Sequence, residues 1–356
     1  MSLKTEAMIP TARGDSVAAS QLGYVLPTEL IIQESPEMSL NWPDLTWNAL
    51  PEEERIAEVV TMLNETHERG VGTIVDRTIP GIGRNVPRIQ KIALQTKLNI
   101  IVTTGWYVRF ELPYYFQYRE QTPQDYPGDP TFEDVMVRDI EKGILVRDAN
   151  KGIVNTGVRA GVIKVISDIF GIEQTPDVRK VFRSVSRAHR RTGAPVVTHT
   201  VGVASGLHQQ KVFEEEGVDL TRVVLGHMDR TTPDVELGEF ERALDKGSFL
   251  SFDGWDATVS QNLFDHSAGE HNVPRVAALI RKGYVKQILL SSGWPITFAD
   301  TIPKDFRGAR GKKPYTTLDE FVIPRLRALG VSEADVRQIT HSNPQRLLST
   351  LAKGGY

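Results

Sequence analysis

A lysine and two histidines stand at the ends of three apolar segments of this 356-residue chain. Ala160-Gly-Val-Ile-Lys164 ends in the lysine, while Gly193-Ala-Pro-Val-Val-Thr-His199 and Arg222-Val-Val-Leu-Gly-His227 end in the histidines. Apolar runs of this kind, bounded by glycine and proline, predict strands that are buried on both faces. The histidines are about one strand-helix-strand repeat apart, so neighbouring parallel strands bring both to the same sheet edge.

Each of the three residue types points to a particular chemistry. Neutral imidazoles are good ligands for zinc-like ions, and two of them at adjacent strand ends can share one ion. Burial lowers the pKa of a lysine and leaves a nucleophilic amine. Such an amine can react with carbon dioxide to give a carbamate, an anionic oxygen ligand, or it can form a Schiff base with a carbonyl compound. The alternative is that all three side chains are only hydrogen-bonded pocket residues.

Composition narrows the class of protein. Hydrophobic residues make up 40% of the chain, enough for a large core, and the net charge of −3 favours neither a nucleic-acid nor a membrane partner. The absence of cysteine excludes disulfides, thiolate metal sites and a cysteine nucleophile. The first residues carry no apolar signal-peptide core, and no apolar run approaches the length of a membrane span. These features predict a cytoplasmic protein that acts on a small molecule.

The order of the elements predicts an α/β fold. Eight strand segments, each followed by a helical segment, suit either a closed barrel or an open doubly wound sheet. An open sheet often has a glycine-rich phosphate-binding turn after its first strand, and none is present there, which favours the barrel. The chain is predicted to be one domain, 1–356, with an N-terminal hairpin at 8–20, a loop at 294–316 after strand eight, and C-terminal helices at 317–352. The predicted strands are 23–32, 71–76, 99–103, 158–164, 195–199, 222–227, 248–253 and 286–291.

Aromatic residues at two loops are the candidates for a substrate pocket. Trp106 and Tyr107 begin an aromatic segment after the third strand, and Trp294 follows the eighth. The basic, glycine-containing segment 304–313 is interpreted as a solvated lid. The remaining histidines are interpreted as incidental, with His67 and His189 on polar helix faces.

The motifs together resemble the phosphotriesterase-like members of the amidohydrolase superfamily, across almost the whole chain. The lysine strand resembles the family's strand with a carbamylated, metal-bridging lysine, and the two histidine strands resemble its two single-histidine ligand strands. Gly81-Ile-Gly-Arg-Asn85 and Ser342-Asn-Pro344 resemble further family motifs. The resemblance implies a distorted (β/α)8 TIM barrel of the metal-dependent hydrolase type, a two-metal centre, and hydrolysis of phosphotriesters, lactones or related esters.

Other family positions have lost their ligands. The family's His-x-His pair on the first strand is replaced by Thr28 and Leu30, and the aspartate at the end of the eighth strand by Gly293. Its proton-relay histidine and second aspartate correspond to Gly254 and Arg230. By the resemblance, the inner ion has lost its ligands except the lysine, whereas Lys164, His199 and His227 remain for the other. A catalytic zinc commonly has three protein ligands and one open position, so one site remains possible.

The preferred prediction is therefore a hydrolase of weak or altered activity with at most one divalent ion, most simply zinc, and a carbamylated Lys164. The alternative is a catalytically inactive, metal-free relative that binds a small apolar ligand. Asp76 and Asp253 are weak candidates for the missing base. Glu29, on the opposite strand face from residues 28 and 30, is expected to form a salt bridge outside the barrel. A homodimer is possible, since members of the family often dimerise.

Overall fold

A computed structural model describes residues 6–42, 51–108, 111–119, 128–167, 171–255, 268–293, 295–298 and 315–356. Its thirteen described strands are β1 (Met8–Pro10), β2 (Ser16–Ala18), β3 (Tyr24–Gln33), β4 (Val71–Asp76), β5 (Asn99–Gly105), β6 (Leu145–Asp148), β7 (Gly152–Asn155), β8 (Ala160–Ile166), β9 (Val196–His199), β10 (Val223–Leu225), β11 (Phe249–Phe252), β12 (Ile288–Leu290) and β13 (Pro295–Phe298).

Eight of these strands form a nearly closed parallel barrel in the order β3-β4-β5-β8-β9-β10-β11-β12. The predicted TIM barrel is thus confirmed. At the seam, β13 pairs in parallel with β3, with Pro295 opposite Leu30. A ninth strand therefore lies inside the stretch 294–316, which was predicted to be only a loop. The sequence also did not predict the antiparallel hairpin of β6 and β7.

Helices alternate with the barrel strands. The helices labelled in chain order are α1 (Pro36–Asn41), α2 (Glu52–Glu68), α3 (Val86–Ala93), α4 (Tyr114–Arg119), α5 (Phe132–Glu141), α6 (Pro176–Thr192), α7 (Val203–Glu215), α8 (Leu237–Asp245) and α9 (Ala268–Arg281). Short helical segments follow near the C-terminus: Leu318–Val322, Ile323–Ala328, Glu333–Arg337, Gln338–Ser342 and Asn343–Leu348. Within the described part of the chain, no helix combines the length and the apolar character needed to cross a membrane.

The barrel lumen is apolar at one level and polar at the next. Each of the eight strands contributes one side chain to an inner apolar cluster, which contains Val25, Val75, Ile101, Val162, Val197, Val224, Phe249 and Leu289. Side chains on a strand alternate between its faces, so the residues two positions further along point into the same lumen. Those residues include Arg77, Lys164, His199, Gly226 and Ser251. The period-two pattern therefore places a layer of polar groups directly above an apolar plug.

His189, which was predicted to lie on a polar helix face, is hydrogen-bonded to the last residue of the chain, Tyr356. His189 is instead fully buried in α6, with Nδ1 2.7 Å from the Ala194 carbonyl oxygen and Nε2 2.8 Å from the Tyr356 hydroxyl. The surface assignment was wrong because α6 packs its central stripe against the barrel and its last turn against the chain terminus. Burial lowers the pKa of His189, so the neutral ring accepts the Tyr356 hydroxyl proton.

Replacing Tyr356 with phenylalanine is expected to destabilise the protein by about 1 kcal/mol, because a buried imidazole nitrogen loses its partner. The ring contact between the two side chains, with centroids 5.4 Å apart, would remain. Chemical unfolding monitored by circular dichroism measures the change. Equal stability of the two proteins would contradict the assigned hydrogen bond.

Candidate active site in the barrel mouth

Lys164 lies in the lumen, as its place in β8 requires. Its side chain is 2% exposed, and Nζ donates to the backbone oxygen of Arg77 at 3.3 Å. The ammonium position also lies 5.4 Å from the centroid of the Tyr107 ring. Burial, followed by the nearby Arg77, lowers the pKa of Lys164 well below its usual value, which favours the neutral, nucleophilic amine.

The two predicted histidines are neighbours. The ring centroids of His199 and His227 are 4.4 Å apart, and the rings are nearly perpendicular. Burial is the largest cause that lowers the pKa of both, for His227 to about 3. Both imidazoles are therefore neutral and chemically suited to metal ligation. The Tyr107 ring packs edge-on against His199, with centroids 6.2 Å apart.

His227 reaches this position through an unusual backbone conformation. β10 ends at Leu225, Gly226 takes the lumen position, and His227 follows with a φ of 57°. It is the only non-glycine residue with positive φ in the described part of the chain. Such strain costs on the order of 1–3 kcal/mol and persists where the surroundings fix it. Here the fixing group is Asp253, whose Oδ1 lies 2.6 Å from Nδ1 and accepts the His227 backbone N–H at 3.2 Å.

Two arginines that the sequence did not predict as site residues occupy the same space. Arg77, fully buried, extends from the end of β4 and places Nη1 3.4 Å from Asp253 Oδ2 on the opposite wall. Arg230, half-buried at the rim, places Nη1 3.0 Å from His199 Nε2. Sequence reasoning noted Arg230 only as a replaced aspartate, and it missed Arg77 entirely. The signal for Arg77 was its position two residues after the lumen-facing Val75.

Two carboxylates, those of Asp229 and Asp253, lie near His227. Asp229 Oδ1 accepts the Asp253 backbone N–H at 2.8 Å, and His227, Asp229 and Asp253 place one ligand atom each within 4.8 Å of one another. These three residues could hold a cation. Burial and the neighbouring Asp253 raise the pKa of Asp229 to about 6. His227 and Arg77 hold the pKa of Asp253 well below its usual range against the effect of burial, so Asp253 is ionised.

The other candidate base, Asp76, is engaged in hydrogen bonds between two strands of the barrel. Its Oδ1 accepts the backbone N–H groups of Ile31 and Thr78 at 3.2 and 3.1 Å and the Thr78 hydroxyl at 2.6 Å. These bonds tie β3 to β4. Asp253 instead contacts one of the predicted ligands, His227, directly.

Glu29 closes the barrel at the seam between its first and last strands. The expected salt bridge outside the barrel is wrong, because the side chain is fully buried and its carboxyl group accepts three hydrogen bonds. The donors are the Ser291 hydroxyl at 2.8 Å and the backbone N–H groups of Ser292 and Gly293 at 2.6 and 2.8 Å. A register shift between Leu26 and Glu29 in β3 breaks the simple alternation on which the expectation rested. Burial raises the pKa of Glu29 to about 8, against the hydrogen bonds.

Thr28, Leu30 and Gly293, the positions at which family ligands are predicted to be replaced, make other contacts. Thr28 Oγ1 lies 3.1 Å from Ser251 Oγ across the lumen, and its backbone N–H donates to Ser291 at 3.0 Å. Leu30 packs in a small apolar cluster with Ile79 and Ile82. Gly293 has a φ of 67°, and a Cβ there would lie 1.8 Å from the Asp253 carbonyl oxygen. None of these three residues offers a side chain that suits a metal ion.

Of the two predicted pocket aromatics that the structure describes, Tyr107 and not Trp106 lies beside the histidines. Trp106 packs edge-on against Phe132 at the start of α5, with ring centroids 6.5 Å apart. Trp294 and the segment 304–313 lie outside the described residues. The described part of the barrel mouth thus holds a buried lysine, two neutral histidines, two arginines and a carboxylate pair.

A parallel (β/α)8 barrel with such a cluster at its strand ends is the architecture of metal-dependent hydrolases, and comparison with known proteins agrees. The phosphotriesterase family model matches residues 7–348. A phosphotriesterase homology protein of Mycobacterium tuberculosis is 36% identical over 348 residues, covering 97% of this chain and 98% of that protein. An aryldialkylphosphatase of Saccharolobus solfataricus is 28% identical over 344 residues, covering 96% and 99%.

A solved structure of the phosphotriesterase from Mycobacterium tuberculosis superposes with a TM-score of 0.83 at 34% identity, covering 98% of this chain and 100% of that one. The chain belongs to the phosphotriesterase family. This family typically depends on divalent metal ions, so the fit of such ions to the residues present can be tested.

By their chemistry, the residues present suit at most one ion. Thr28, Leu30 and Gly293 offer no side-chain ligand, and the Arg77 guanidinium already places a positive charge against Asp253. Lys164, His199 and His227 are all buried, and burial lowers the pKa of each, which favours the neutral state that ligation or carbamate formation requires.

Proposed function

We propose that this chain hydrolyses an ester-like bond, in an ester, a lactone or a phosphotriester, through at most one divalent ion. The ion, zinc by preference, would be held by His199, His227 and a carbamate on Lys164. The observation that carries the proposal is the close packing of two neutral imidazoles in the same barrel mouth as a buried lysine. A bound ion of this kind supplies Lewis acidity and lowers the pKa of a coordinated water.

The chain's own residues would position the reacting groups. Asp253 fixes the orientation of His227 through contacts to both its backbone and its ring. Tyr107 packs against His199 and beside Lys164, forming one wall next to both. Asp253 is held ionised by Arg77 and His227, which makes it a weak base. Loss of a well-matched general base costs roughly 10²–10⁴-fold in rate, so activity would be low beside that of an enzyme with a complete relay.

Elemental analysis of protein grown with added zinc or cobalt, together with assays on aryl esters, lactones and phosphotriesters, tests this function. The wild type is expected to hold one ion per chain. His199→Asn is expected to lose that ion and at least about 100-fold of the hydrolytic rate, since an open ligand site is essential to such chemistry. His208→Asn, on α7, is the matched control and should change neither. A wild type that takes up no metal, or a His199→Asn variant of full activity, would refute the proposal.

A second candidate, a metal-free relative that binds a small apolar ligand, is favoured by one contact. Arg230 Nη1 lies 3.0 Å from His199 Nε2, the nitrogen that an ion would need. For the ion to bind there, this rim arginine must move away. Metal uptake by the wild type separates the two candidates.

Because Arg230 competes for His199, replacing it with glutamine is expected to raise zinc affinity about tenfold, equivalent to about 1.4 kcal/mol. Competition with a chromophoric chelator measures the affinity. Arg242→Gln, which removes a side chain that is 63% exposed, is the control and should leave it unchanged. An unaltered affinity in the Arg230 variant would show that the guanidinium does not hold the nitrogen in solution.

A further inference from the structure

Arg77 crosses the barrel. It follows β4, and its backbone N–H continues the strand ladder by donating to Glu29 O at 2.8 Å. Its Nη1 lies 3.4 Å from Asp253 Oδ2, beyond β11 on the opposite wall. A Cβ on Gly226, after β10, would lie 3.8 Å from the same Nη1. The guanidinium therefore lies inside the lumen, within contact distance of the wall at Gly226 and of the carboxylate of Asp253.

This guanidinium is incompletely paired. Its side chain is 0% exposed, yet Nε and Nη2 have no hydrogen-bond partner among the described residues. A buried N–H group without an acceptor costs about 1–3 kcal/mol, and more when the group is charged. The one carboxylate it reaches, Asp253, is shared with His227. The geometry thus leaves two buried, charged donors available for an acceptor that enters the lumen.

The surrounding groups limit what that acceptor can be. Arg230 and Lys164 add cationic or donor groups at the same mouth, whereas the Asp253 oxygens already face His227 and Arg77. A cation placed between Arg77 and Asp253 would be repelled by the guanidinium. A planar fork of N–H donors matches a carboxylate, sulfonate or phosphate group, since two oxygens can accept at once.

We propose that Arg77 is a resident cation of the barrel lumen, present in place of a second metal ion, and that its unpaired N–H groups bind an oxyanion of the substrate. The site would then select compounds that carry an acidic oxygen group close to the bond that is cleaved. That the oxyanion belongs to the substrate rests on the proposed function; the anion site itself does not. Thr28, at one of the lost ligand positions, lies 3.1 Å from Ser251, which donates to the same Asp253 Oδ2 at 3.3 Å.

Isothermal titration of the wild-type protein with inorganic phosphate tests the site. One phosphate per chain is expected to bind in the millimolar range or tighter. Replacing Arg77 alone would remove the guanidinium that neutralises the Asp253 charge, so the double variant Arg77→Met/Asp253→Asn, which removes both charges, is the one to compare. It is expected to bind phosphate at least tenfold more weakly. Arg183→Met, at an exposed ion pair with Glu216, is the control and should bind as the wild type does.

The milder Arg77→Lys variant keeps the charge but loses the fork, and an intermediate affinity is expected. It also serves if the double variant does not fold. Phosphate binding that is equal in the wild type and the Arg77 variants, or absent from the wild type, would overturn the proposal. Phosphate binding through Arg77 in a protein that hydrolyses no ester would leave the anion site standing and refute the proposed function alone. Ester hydrolysis by a protein that binds no phosphate would refute the anion site and leave the proposed function standing.

Discussion

Replacing Asp253 with asparagine is expected to lower the free energy of unfolding by about 3–5 kcal/mol, because it leaves the buried Arg77 cation without its counter-charge. The same change weakens the contacts that hold His227 in its strained conformation. For a chain of this size the loss corresponds to a fall in melting temperature of about 4–7 °C. Thermal and denaturant unfolding, followed by circular dichroism, give both numbers.

A double-mutant cycle shows whether the ion pair is the cause. Arg77→Met in the Asp253→Asn background removes the uncompensated charge and is expected to restore at least half of the lost stability. If the two substitutions instead destabilise additively, the pair does not interact in the folded protein. The result also bears on catalysis, since Asp253 orients one of the proposed metal ligands.

Returning the family's aspartate to position 293 is expected to prevent stable folding, or to cost at least about 3 kcal/mol. The backbone there has a φ of 67°, and any Cβ would lie 1.8 Å from the Asp253 carbonyl oxygen. The Gly293 N–H is also needed as a donor to Glu29. Gly293→Ala should be nearly as harmful as Gly293→Asp, because the clash belongs to the Cβ atom.

Gly238→Ala is the control for this prediction. Gly238 lies in α8, where an added Cβ meets nothing within 4 Å, so the change should stabilise the protein by roughly 0.5–1 kcal/mol. Denaturant unfolding of the three variants compares them directly. A stable Gly293→Asp protein would mean that the seam of the barrel is more adaptable than described. If the prediction holds, the second metal site cannot be rebuilt by replacing ligands alone.

The Asp253 prediction and the proposed anion site have a common cause in the charges of the barrel mouth. A metal ion and a guanidinium both compensate carboxylates, but the guanidinium is part of the chain and cannot be removed by a chelator. The stability of this barrel mouth should therefore depend little on metal, even if hydrolysis requires it. That separation of stability from activity follows from the Arg77–Asp253 pair and not from any ligand of the proposed ion.

The amino-acid sequence alone determined the barrel and the two histidines. Apolar strands with helices between them can close only in a few ways, and the period-two alternation that puts Val162 and Val197 in the lumen also puts Lys164 and His199 there. These are local regularities, readable from spacing. The prediction that family ligands are replaced at Thr28, Leu30 and Gly293 also rests on the sequence, because it is a matter of residue type.

Only the tertiary structure decided which groups meet in the barrel mouth near Thr28 and Gly293. Arg77 and Asp253 are separated by many residues and meet only because the barrel closes, so no local pattern links them. The role of Glu29 depends on a register shift in β3, and that of His189 on where the chain terminus packs. Alternation and motif spacing report which face of its own strand or helix a residue occupies. Which distant group it meets is set by long-range closure, and that closure placed a cation at the centre of this site.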